Sequence, residues 1–273
     1  MYVRLPPGFT DIYKEITRRF VQGESFSQAE RALLFEAFDL LHRAEVATEA
    51  GWESFVTAYE RLIEVSFANH YLRGLVEAQD IEATAEPLRA QVSRRIMPTL
   101  REAGLVDPAE PSSFYLLAYC LYWWYAFARG YAFEVEVLRD LAISGVLYQA
   151  HDVLDARARR SPFDLVVLGF RGDIKTSTYF LHVTRTQGLL HDFYITRVYE
   201  PGERERIVVV FLKEPAWEAI DGETTPVTLE ALAGVLPGIF RLQQNDTILI
   251  VLDYEEWKTR LLRAQKSDQE DRR

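Results

Sequence analysis

The spacing of apolar residues changes character after Gly145. Before it, apolar positions recur three and four apart, as on one face of a helix; after it they fall in short continuous runs, as in buried strands. Residues 1–26 mix Pro, Gly and a short helical pattern. From Ser27, with Glu30 completing a capping box, the stripe Leu33, Leu34, Phe38 and Leu41 predicts a helix. A second is expected over Gly51–Val76 on Phe55, Tyr59, Leu62, Val65 and Phe67. A third covers Ala83–Ala103 and stops at Gly104, with Pro98 expected to kink or split it. The aromatic run Phe114–Ala128 is shorter than the ~20 residues of a membrane span, and its tyrosines suit a core helix with polar rims. Its alternative reading is an interface for a partner or a second subunit. Gly130–Gly145 reads as a further helix closed by a glycine.

Beyond that glycine, Val146–Val153 is expected as a strand. The stretch from Pro162 to Ser177 follows, an apolar run broken at Gly169-Phe170-Arg171-Gly172, which predicts a hairpin with its turn there. Thr178–Thr184 is read as prolonging the second strand, and Leu189–Tyr199 fits helix or strand. Ile207–Leu212 and Thr247–Leu252 read as buried strands, Val227–Val235 and Glu255–Ala264 as helices. The predicted fold class is α/β, a helical N-terminal domain followed by a mixed-sheet α/β core. The expected domains are 1–128, helical, and 129–265, with 266–273 a charged, disordered tail. No internal repeat is apparent.

Composition adds limits. A chain of 273 residues with 48% hydrophobic and 26% charged residues is an ordinary soluble protein, long enough for one large domain or two modest ones. A lone cysteine, Cys120, excludes a disulfide framework or multi-cysteine zinc site within one chain, and its apolar helix marks it as inert packing. The N-terminus lacks the apolar core of a signal peptide, and a cytoplasmic location is expected, with no membrane association. The net charge of −10 argues against non-specific coating of nucleic acid, yet leaves room for a local basic strip. Arg157, Arg159 and Arg160 are candidates for one, or are a solvated loop edge.

The hairpin carries the candidate chemistry. Asp164 stands at the start of its first strand; Asp173 and Lys175, two apart on the second, share one face of the pleat. Two carboxylates and an ammonium converging beside a strand pair suit a hard divalent cation completed by a phosphate. His151 and His191 each precede an aspartate, a pattern open to a His/carboxylate metal site, but neither has the spacing of a helical zinc site, and both are expected as surface or satisfied buried histidines. A second acid-x-Lys match, Glu256-Trp257-Lys258, falls on the last helix and is read as chance.

The pattern Pro162-x-Asp164, then Asp173-x-Lys175 after an apolar strand and a turn, resembles the PD-(D/E)xK, or restriction-endonuclease-like, nuclease superfamily over roughly the second half of the chain. That family carries a glutamate on the helix before its first core strand, matched by Glu134 with Glu136 as alternate. The resemblance implies Mg²⁺, or Mn²⁺, held by Asp164, Asp173 and the Ile174 carbonyl, with Glu134 reaching it through water or holding a second ion. Lys175 would orient or deprotonate the attacking water, and Gln187 would add a polar contact to the substrate. The implied function is a nuclease acting on nucleic acid, DNA by preference. The helical half would select the substrate, or mediate a homodimer or partner contact. The alternatives are a nuclease-like subunit without turnover, binding nucleic acid or serving as a scaffold, and a helical interaction protein whose C-terminal half merely resembles the fold.

Overall fold

The computed structural model describes residues 3–9, 11–12, 14–15, 40, 42–48, 51–107, 109, 111–176, 181, 189–199, 206–220, 224–232, 238–244 and 247–271. The expected Ser27–Glu30 cap, the stripe Leu33, Leu34, Phe38 and Leu41, Gln187, Val235 and most of Thr178–Thr184 lie outside the described residues. The chain divides into two compact units, Met1–Ala128 and Arg129–Arg273.

The first unit is mainly helical. A small antiparallel sheet, absent from the sequence reading, pairs β1 (Val3–Arg4) with β2 (Glu45–Thr48) and β2 with β3 (Gly51–Ser54). Gly51 has φ +117°, which no helix accommodates, so the helix expected from there begins at Phe55 instead. α1 (Phe55–Ile63) passes through a π-helical turn (Glu64–Ala68) into α2 (Asn69–Glu77). α3 (Ile81–Glu102) is capped by Asp80, whose carboxylate accepts from Ala83 N at 2.9 Å. It runs unbroken through Pro87 and Pro98, each of which removes a helical donor without ending the helix.

α4 (Pro111–Ile143) fuses the two helices expected on either side of Gly130. The division between the units falls inside it. Buried Leu116, Tyr119, Cys120, Trp124 and Ala128 form its apolar stripe, and burial pushes the Cys120 thiol up, away from the thiolate a nucleophile needs. Its C-terminus is a Schellman motif: Gly145 adopts φ +78°, Gly145 N donates to Ala142 O at 3.1 Å and Val146 N to Leu141 O at 3.0 Å. No helix among the described residues is long and apolar enough to cross a membrane.

The second unit is built on a mixed eight-stranded sheet in the order β4-β5-β6-β7-β8-β11-β10-β9. The strands are β4 (Gln149–Ala150), β5 (Leu165–Val167), β6 (Phe170–Lys175), β7 (Phe193–Tyr199), β8 (Arg206–Lys213), β9 (Thr225–Val227), β10 (Ile239–Gln244) and β11 (Thr247–Asp253). Neighbours are antiparallel except β6 with β7 and β9 with β10. Among the described residues, α5 (Glu214–Glu218) and α6 (Leu229–Leu232) lie between strands, and α7 (Tyr254–Asp271) follows the last one. α7 continues past Ala264 through charged residues expected to form a tail.

The predicted hairpin is present, with its turn displaced. Leu168 and Gly169, at φ +50° and +84°, make a two-residue connection whose twist suits the flanking strands. Phe170, Arg171 and Gly172 therefore belong to β6, opposite Val167, Val166 and Leu165. The strand expected over Val146–Val153 shrinks to Gln149–Ala150, paired with Val166 and Leu165 of the three-residue β5.

Alternation on the central strands fills a core on each face. Val210 and Leu212 of β8, with Ile250 and Leu252 of β11, join Phe133, Val137 and Leu141 of α4 and Trp217, Trp257 and Leu261. Val209, Phe211, Leu249 and Val251 join Tyr194, Leu232, Phe240 and Leu242 in a second cluster. Strands buried on both faces read as continuous apolar runs, as these do. α7 is also tied to α4 by the buried Lys258, whose Nζ lies 2.6 Å from Asp140 and 2.8 Å from Glu255. The second acid-x-Lys match thus ends in a structural ion pair, with Glu256 bound to Arg260 along the helix surface.

Candidate metal centre

The register of the first strands brings the chemistry together. Ala150 pairs with Leu165 and Leu165 with Gly172, so one step further sets His151, Asp164 and Asp173 side by side. The backbone fixes this row: His151 N donates to Asp164 O at 3.4 Å, and Asp164 N to Gly172 O at 3.0 Å. Glu134 arrives from α4, whose neighbouring Phe133 and Val137 anchor it in the core. One ligand atom from each of Glu134, His151 and Asp164 lies within 4.8 Å of the other two.

This cluster is buried and incompletely satisfied. The side chains of His151 and Glu134 are 7% and 9% exposed, with His151 Nε2 3.0 Å from Glu134 Oε1. That contact is an ion pair short of hydrogen-bond alignment, and Glu134 Oε1 and both imidazole nitrogens are buried with no well-aligned hydrogen bond. Leaving such groups unpaired costs about 1–3 kcal/mol each, more when charged. A cation among them removes that cost, and the donor set of two carboxylates and an imidazole fits a divalent metal. The Glu134 contact, against the opposing effect of burial, holds the His151 imidazole above its ordinary range.

Asp164 is the pivot. Its Oδ2 accepts from Ile174 N at 2.7 Å. Burial first, then the Glu134 charge and the hydrogen bond and charge of Asp173, push its carboxyl up to about 8. Buried Asp173 turns its oxygens to Lys175 Nζ, at 2.8 and 2.7 Å, and lies 3.6 Å from His191 Nε2. Lys175 is 45% exposed, so its ammonium stands between the buried acids and solvent. Burial lowers the His191 pKa, countered by Asp173 and reinforced by Lys175 and Lys213. Tyr131, one turn before Glu134, has its hydroxyl pushed up by burial and then by Glu134 and Asp164.

Comparisons with family models, curated proteins and solved structures found no match to this chain. Its geometry is that of a mixed α/β domain holding a buried acid–histidine cluster able to take a divalent metal.

Glu136 points elsewhere on α4 and pairs with Arg197. Ile174 meets the site through its N–H, with its side chain in the core. Arg159 is occupied within its own loop, donating to Val153 O at 2.5 Å, while Arg157 and Arg160 are exposed. His151, expected as a surface or satisfied buried histidine, instead joins Glu134 and Asp164 in the cluster. The available signal was its place at the end of a short strand, where antiparallel pairing sets it opposite the aspartate that opens the next.

Proposed function

We propose that the second unit is a metal-dependent nuclease of the PD-(D/E)xK type that hydrolyses phosphodiester bonds of nucleic acid, DNA by preference. The observation carrying this reading is the Glu134–His151–Asp164 cluster, whose Glu134 Oε1 and imidazole nitrogens are buried without a well-aligned hydrogen bond, beside an Asp173–Lys175 pair that opens to solvent. Glu134, His151 and Asp164 would hold the ion, with Asp173 as a further carboxylate. An imidazole nitrogen among the donors favours Mn²⁺ over the harder Mg²⁺. Bound there, a divalent ion supplies Lewis acidity toward a phosphoryl oxygen and lowers the pKa of a water. Lys175 is held by Asp173 so that its charge meets a phosphate approaching from solvent and offsets the negative charge that builds during attack. Burial of Glu134 and His151 keeps bulk water from competing for the ligand atoms. The first unit, residues 1–128, would select the substrate or mediate assembly.

Cleavage of single- and double-stranded DNA and RNA with Mn²⁺, Mg²⁺ or EDTA tests this. Lys175→Ala is expected to slow cleavage by about 10²- to 10⁴-fold while leaving metal-induced thermal stabilisation in place. Cleavage that persists in EDTA, or at full rate in Lys175→Ala, would overturn the reading. The net charge of −10 favours one alternative, a nuclease-like scaffold without turnover. Metal binding with no cleavage of any of these substrates would select it.

A further inference from the structure

Resting on the nuclease reading, we propose that Arg171 grips a backbone phosphate next to the scissile one, making the preferred substrate a polynucleotide strand rather than an isolated phosphodiester. Arg171, Asp173 and Lys175 alternate along β6, so their side chains leave the same face of the pleat. Alternate residues of a strand stand about 6.7 Å apart, the scale on which consecutive phosphates follow one another along an extended nucleic-acid strand. Two exposed cations thus flank the buried Asp173, one on each side along the strand. A chain laid along β6 with one phosphate at Lys175 would carry a neighbouring phosphate toward Arg171.

Arg171 is prepared for this role on two sides. Its guanidinium lies over the Phe163 ring, 5.3 Å from the centroid, and Phe163 adjoins Asp164. Its backbone N donates to Asp192 Oδ2 at 2.8 Å, fixing the strand from which it projects. A planar guanidinium set against an aromatic face keeps its N–H edges for bidentate contact with phosphate. Hydrolysis at the metal cluster needs one phosphate only. A second cation held in line with the first is what a polyanion can use and a lone diester cannot.

The test compares a single-stranded DNA of about 20 nucleotides, long enough to track a binding groove, with bis(p-nitrophenyl) phosphate, which offers a single phosphate. Binding of the oligonucleotide is followed in EDTA over a salt series. Arg171→Ala is expected to weaken it about tenfold and to flatten the dependence of log K on log salt by about 0.7, the value of one phosphate contact on a single strand. Arg171→Lys should keep the slope and lose part of the affinity, while Arg263→Ala, an exposed arginine of α7 outside the proposed binding groups, serves as the control for charge alone. In Mn²⁺, the KM of Arg171→Ala for the oligonucleotide should rise about tenfold relative to its KM for the small diester. An unchanged slope, no oligonucleotide binding by the native chain, or an equal loss on both substrates would overturn the proposal. If the native chain cleaves neither substrate yet the slope falls in Arg171→Ala, the phosphate grip stands and the hydrolytic reading fails.

Discussion

Asp164→Asn is expected to raise the melting temperature of the metal-free protein at pH 8 and above, and to remove the further rise expected when Mn²⁺ is added to the native chain. The folded Asp164 carboxyl is pushed up to about 8 by burial, Glu134 and Asp173, whereas in the unfolded chain it titrates near ~3.9. Between those values the native state binds the proton that the unfolded state has lost. Stability of the metal-free protein therefore falls as pH climbs from about 4 to about 8, and the loss is complete above that. The full penalty is on the order of 5 kcal/mol, and relief of even half of it corresponds to a melting shift of about 5 °C or more in a chain of this size. Asparagine keeps an acceptor for Ile174 N–H, can donate to Asp173, and carries no charge to bury.

Metal reverses the slope, because the ion binds the deprotonated carboxylate and the neutral imidazole. Mn²⁺ should stabilise the native chain little at pH 6 and progressively more toward pH 8, since Asp164 and His151 both sit above their ordinary values. Thermal unfolding of both proteins, with and without Mn²⁺ across that range, checks the two signs together. A mutant that melts below the native chain at pH 8 without metal, or that still responds to Mn²⁺, would refute the account.

Gly172→Ala is expected to destabilise the fold by about 3 kcal/mol or more, at the upper end for overpacking. A Cβ there would fall 2.1 Å from Phe193 Cζ and 2.2 Å from Cε2, since the Phe193 ring lies directly on the glycine. That ring is 2% exposed and packs 5.4 Å from Trp257, so it has no room to retreat. The strands that would have to part are β6 and β7, and Asp173 is the next residue. Metal affinity should therefore fall along with stability. Gly169→Ala provides the contrast: its Cβ meets nothing within 4 Å, and only the positive φ penalises it, by about 1 kcal/mol. Urea unfolding distinguishes the two. Equal midpoints for both variants would mean that the packing of Phe193 on Gly172 does not carry the effect.

Much of this was written in the local pattern. The apolar runs of β8 and β11 announce strands buried on both faces, and the hairpin shows in its β-branched run and glycine. Its turn was misjudged because Leu168 at positive φ leaves no mark in sequence, whereas the second glycine, Gly172, suggests a bend yet serves to admit Phe193. The continuity of α4 was hidden by Gly130, which looks like a break but sits in a helix where its missing side chain faces open space. β10 went unread because its two buried residues, Phe240 and Leu242, are divided by a charged arginine and make too short an alternation. At the site, Asp164, Asp173 and Lys175 were legible because one hairpin supplies all three. Glu134 needed the order of elements as well. His151 needed a strand register that only pairing defines, and no spacing within the sequence encodes it.

The length of α4 has a practical consequence for dissecting the molecule. A fragment that begins at Arg129, where the compact units divide, starts in mid-helix with a raw first turn of orphaned N–H groups. Glu134 would then ride on the fraying end, little more than a turn from the cut. Such a fragment should bind Mn²⁺ more weakly than one retaining the helix from Pro111, even though every ligand is present in both. Calorimetric titration of the two fragments would show whether the upstream turns act as a splint for the glutamate.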